Sequence, residues 1–121
     1  MKKLTVPLIA IWVASAAVAV AEAPEIVDVT AQKDGMAWRF EVTLLHPDTG
    51  WDHYADSWEV LDTDGNRLGF RKLLHPHLDE QPFTRSLNSI VVPDGTREVY
   101  FRASCSVEKW SGPLVPVALP F

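Results

Sequence analysis

The chain has 121 residues, 47% of them hydrophobic and 10% aromatic, with a formal charge of −5. An acidic balance of this kind argues against nucleic acid or an anionic membrane surface as a partner, since both need a basic face. One cysteine, Cys105, excludes an intramolecular disulfide, so the fold must rest on a packed core.

Met1-Lys2-Lys3 followed by the apolar, small-residue run Leu4–Val20 reads as an export signal, with Ala19-Val20-Ala21 as the cleavage site. Cleavage before Glu22 leaves a single domain of 100 residues, 22–121, with a charge of −7, free of the membrane and expected in the periplasm or secreted.

From Glu25 onward the apolar period is two and no stretch repeats at helical spacing. Val27, Val29 and Ala31 alternate in a first strand that ends at Lys33-Asp34-Gly35. Trp38, Phe40, Val42 and Leu44 alternate in a second. Trp58 and Val60 face one way in a third, with Ser57 and Glu59 on the other side, up to Thr63-Asp64-Gly65-Asn66. A fourth covers Arg67–Leu74, and a fifth, Phe83–Val92, is irregular enough to hold a bulge. Val99, Phe101 and Ala103 alternate in a sixth that reaches Cys105. The seventh, Leu114–Leu119, carries Pro113, Pro116 and Pro120 in or beside it, which suits an edge strand, and could pair with a second copy of the chain. Seven short strands in this pattern predict an all-β, two-sheet antiparallel sandwich. In layout the chain resembles the fibronectin type III and immunoglobulin-like domains, with Trp58 where such domains keep a core tryptophan and Tyr100 in the sixth strand. The missing disulfide favours the fibronectin-like form. That resemblance implies a fold and no function.

Consecutive connections alternate between the two ends of such a sandwich. The first, third and fifth are tight Asp-Gly turns. The second, fourth and sixth are longer and irregular, and they hold all four histidines, Trp51, Tyr54 and Trp110; Cys105 closes the sixth strand at the same end. The functional end is therefore expected in the loops Leu45–Asp56, His75–Pro82 and Ser106–Gly112.

Three kinds of chemistry fit these loops. The first is a metal site on His75, His77 and His53, with His46 and Asp79 in reserve and Asp52, Asp56 and Glu80 nearby. Imidazole with carboxylate suits zinc or copper(II). His75 and His77, one residue apart with Pro76 between them, project to one side in an extended chain. Cys105 is expected as a small buried residue, with interchain pairing or metal ligation as the alternatives. The residues after it, Ser106-Val107-Glu108-Lys109-Trp110, lack the histidine and methionine of a cupredoxin. The second is a metal-free surface for a protein partner in the cell envelope, using Trp51, Tyr54, Trp110 and Glu80. The third is catalysis by Asp–His pairs with Ser86 or Ser106. No nucleophile elbow, phosphate loop or cofactor fingerprint accompanies them, so no enzyme signature is present. Arg85 is expected to pair with Asp79 or Glu80, anion binding being the alternative.

Overall fold

The computed structural model describes residues 23–120; the expected export segment, residues 1–21, lies outside them. Seven strands form, β1 Glu25–Asp34, β2 Ala37–Leu45, β3 Ala55–Leu61, β4 Arg67–Lys72, β5 Phe83–Ile90, β6 Glu98–Cys105 and β7 Val115–Ala118. They make two antiparallel sheets, ordered β1-β2-β5 and β4-β3-β6-β7. The protein is an all-β sandwich, and its layout fits the fibronectin III/immunoglobulin-like plan.

The alternation in β2 turns Trp38, Phe40, Val42 and Leu44 inward, where they are buried against Trp58 and Val60 of β3 and Val99, Phe101 and Ala103 of β6. Phe40 meets Phe101 edge-on at 5.3 Å, and Trp58 lies 6.0 Å from the same ring. Each such side chain, fully buried, contributes about 1.5–3 kcal/mol, which is how an acidic chain without a disulfide supports a core.

The strand patterns depart from simple alternation in two places. In β1, Ile26 faces Leu44 and Asp28 faces Thr43, so Val27 is an extra residue in a bulge. Val27 is thereby half exposed, while Ile26 takes the place against the core. A one-residue slip moves a side chain to the opposite face. In β5 the expected irregularity is a bulge at Asn88 and Ser89, which together stand opposite Arg39, with Ser89 at a φ of 58°. The Tyr100 hydroxyl donates to Glu98 Oε1 at 2.6 Å. That bond favours the phenol form and raises the Tyr100 pKa.

The two ends differ as the parity of the connections requires. Asp34-Gly35, Asp64-Gly65 and Asp94-Gly95 close one end, each glycine at positive φ. The three long connections meet at the other.

Candidate metal centre

Past β2 the chain carries His46 into the interior, where it is completely buried. After Pro47, Asp48 N–H donates to His46 O at 2.8 Å, and the Asp48 carboxylate comes against His46 Nδ1. A tight turn follows. His53 N–H donates to Gly50 O at 3.2 Å and Thr49 N–H to His53 O at 2.9 Å, while Gly50 takes a φ of 149° that side-chained residues rarely adopt. The turn returns His53 to His46, with ring centres 4.8 Å apart and planes at 84°.

The buried Asp48 carboxylate joins the two histidine loops. Its Oδ1 accepts from Ala55 N–H at 2.9 Å and lies 2.5 Å from His46 Nδ1. Its Oδ2 accepts His77 N–H at 2.8 Å. Gln81 adds a second link, accepting His46 N–H at 3.0 Å and donating to His77 O at 2.9 Å. The loops therefore converge, and backbone N–H groups fixed by one carboxylate and one amide hold them together.

Cys105 ends β6 opposite Ala55 and is fully buried. The chain turns back on itself there, with Lys109 at a φ of 56° and paired to Cys105 in both directions. This turn aims Glu108 N–H at Cys105 Sγ, 3.1 Å away. His53 Nε2 lies 3.7 Å from the same sulfur. One ring nitrogen from each of His46 and His53 and the Cys105 sulfur all fall within 4.8 Å of one another. Sequence reasoning placed His46 and His53 among candidate ligands but gave Cys105 only a secondary role, and it did not single out Asp48 or Gln81. The available signal was that Cys105 closes its strand at the histidine end.

His75, His77 and Asp79 form a neighbouring group. The rings of His75 and His77 are 4.5 Å apart, but their surroundings differ. His75 is exposed, its Nδ1 2.9 Å from Pro76 O. His77 is buried and stacked on Phe83 at 3.8 Å. Its Nε2 accepts from Arg85 at 2.8 Å, so its proton sits on Nδ1, 3.9 Å from Asp48 Oδ2 and without a hydrogen-bond partner. Arg85 thus turns to His77 and to Thr84 O, not to Asp79 or Glu80, both of which are exposed. A buried imidazole that accepts from a guanidinium is held in its neutral form.

Burial, then the charges of Arg85 and His75, lower the His77 pKa, with Asp48 and Glu80 opposing. In the unfolded chain this histidine takes up a proton near pH 6.5, whereas in the fold it does so only at lower pH. Between those two values the unfolded state binds more protons, so stability is lost as the pH falls through that window and regained as it rises. Thermal melts should show a midpoint that drops from pH 7.5 to 5.5, with a shallower drop in His77→Gln. An unchanged slope in that variant would place the pH response elsewhere.

Of the residues expected on an interaction surface, Trp51 is 67% exposed and meets half-buried Tyr54 edge-on at 5.5 Å. Trp110 is not with them. It lies against Phe70 at 6.4 Å, under the guanidinium of Arg102 at 5.0 Å. Glu80 is exposed on the His77 loop.

The chain matches no family model and no solved structure. It is 48% identical over 88 residues to a protein of Halomicrobium mukohataei named "Putative lipoprotein". The match covers 72% of this chain and 43% of that protein, so the chain spans less than half the length of the relative.

Proposed function

We propose that this is an exported β-sandwich protein of the cell envelope that holds a transition-metal ion, zinc or copper(II), on His46, His53 and Cys105. The observation that carries the proposal is the convergence of two imidazoles and a sulfur within 4.8 Å, from chain positions up to 59 residues apart, with Asp48 on the His46 ring. Tetrahedral zinc with bonds of about 2.0 Å to nitrogen and 2.3 Å to sulfur needs neighbouring ligand atoms roughly 3.5 Å apart. The 3.7 Å between Cys105 Sγ and His53 Nε2 is already close to that. A carboxylate on the second nitrogen of a ligating histidine orients the ring and raises its basicity, and Asp48 is placed for that role. Thiolate with imidazole suits zinc and copper and is unsuited to magnesium or calcium. Three protein ligands leave one position for water or an outside ligand. Export is supported by the basic and apolar N-terminal run, and the envelope by the relative's name as a lipoprotein.

Metal analysis and calorimetric titration with zinc and copper(II) test the site. Near-stoichiometric binding is expected, lost in His53→Ala and in Cys105→Ser and kept in His75→Ala. With copper(II), a thiolate charge-transfer band should appear in the visible and vanish in Cys105→Ser. Binding that survives both ligand substitutions but is lost in His75→Ala would move the site to the His75–His77–Asp79 group, and absent binding would discard it.

The exposure of Trp51 favours a second reading at the same end, a contact with an envelope protein that needs no metal. Trp51→Ala should then weaken the contact and leave metal binding unchanged.

A further inference from the structure

On one side of the sandwich the edge strand β4 of one sheet faces the edge strand β5 of the other. Arg71 lies opposite Trp58 in the ladder, and Arg85 opposite Val42. Trp58 and Val42 are core residues, so both arginines leave their strands on the inward face and emerge at this opening. A cleft of about 220 Å³ runs along the β5 edge, lined by Arg71 and Arg85 from this opening and by Arg39, Glu41, Thr84 and Ser86 from the outer face of the β1-β2-β5 sheet.

The charges in this cleft do not balance. Glu41 is taken by Arg39, which donates to its Oε1 from Nη2 at 2.8 Å and from Nε at 3.3 Å. Among the described residues Arg85 pairs with no carboxylate; it donates to Thr84 O and His77 Nε2. Arg71 makes no ion pair and no hydrogen bond among the described residues, and its Nε is buried without a partner. Two guanidinium groups are thus partly withdrawn from water beside two hydroxyl residues, with no acid to match them, in a chain whose net charge is negative. A desolvated, unpaired cation is costly unless something outside the chain neutralises it. Guanidinium forks match the two oxygens of a carboxylate or phosphate.

We propose that this cleft binds a small oxyanion, a carboxylate or a phosphate, on Arg71 and Arg85, with Ser86 and Thr84 beside it. The site is separate from the metal ligands and does not depend on the metal reading.

The test is an amide chemical-shift titration of the purified protein at pH 7.5 with sodium phosphate and, separately, sodium malonate. Sodium chloride keeps the ionic strength constant throughout. Saturable shifts centred on Arg71, Thr84, Arg85 and Ser86 are expected for at least one anion, and which one saturates first identifies the class. Arg71→Gln and Arg85→Gln should each weaken the apparent affinity at least tenfold. Arg97→Gln, the same charge change at an exposed site at the other end, should leave it unchanged. Arg71→Lys keeps the charge and loses the fork, and it should weaken binding too if Arg71→Gln does not fold. Shifts that never saturate in the native protein would overturn the proposal, as would saturation equal in the native and both glutamine variants. Inward charges can serve only to keep sheet edges from pairing; that role alone gives non-saturating shifts together with self-association of the glutamine variants.

Discussion

Asp48→Ala is expected to destabilise the fold by about 3–5 kcal/mol, the loss found when one member of a buried charged network is removed. The carboxylate accepts the N–H groups of Ala55 and His77 and sits against His46 Nδ1, and its side chain is fully buried. Alanine leaves these groups facing a cavity, and each buried polar group left unsatisfied costs about 1–3 kcal/mol. For a domain near 100 residues, 1 kcal/mol moves the midpoint by roughly 4–8 °C, so thermal and urea unfolding read the effect easily. Asp48→Asn separates the carboxylate from its shape. Its carbonyl oxygen can keep the Oδ1 contacts with Ala55 and His46, but its amide then opposes the His77 N–H. About half the alanine loss is therefore expected, together with a drop in metal affinity on the order of 10–100-fold from the changed support of His46. An Asp48→Ala protein within about 1 kcal/mol of the native one would mean that the histidine loops are held together by something else.

The fold was legible because its signals are local. Period-two alternation in β2 and β6 names the core residues directly, and three Asp-Gly turns at alternate connections sort the loops into two ends. That sorting also puts Cys105 at the histidine end. What the sequence hides depends on register and on separation along the chain. Val27 is as apolar as Ile26, and only the bulge decides which of them faces in. His53 and Cys105 are 52 residues apart, and no spacing rule joins them. The pairing of His75 with His77 rests on an extended backbone, whereas residues 73–82 form no strand and the two rings enter different surroundings. Asp48 looks like any loop aspartate until its carboxylate is seen to receive N–H groups from two separate segments. Alternation predicts that Glu59 faces away from the core, as it does, but not that it is covered there.

That covering gives the second large effect. Glu59 is 2% exposed, opposite Phe70 and Arg102 in the ladder. Its two oxygens accept from Arg67 at 2.8 Å and Arg102 at 2.9 Å. Arg67 also lies over Phe70 at 4.6 Å, and both guanidinium groups lie over Trp110. The energetics of this group are asymmetric. Both arginines are partly exposed and can return to water, but the carboxylate cannot. Arg67→Ala/Arg102→Ala therefore leaves a buried, unpaired charge and should cost about 2–4 kcal/mol, below the range for a fully buried network because solvent already screens the arginines. Glu59→Leu removes the charge that had to be desolvated and keeps most of the volume, so it should stay within about 1 kcal/mol of the native protein. Urea unfolding of the two variants decides the matter, and equal losses would show that the ion pairs themselves stabilise the sheet. Trp110 supplies an independent readout. Held by stacked cations on the outer face of β4-β3-β6, it should become more accessible to an acrylamide quencher in the double variant, because the arginines cover the ring as well as the carboxylate.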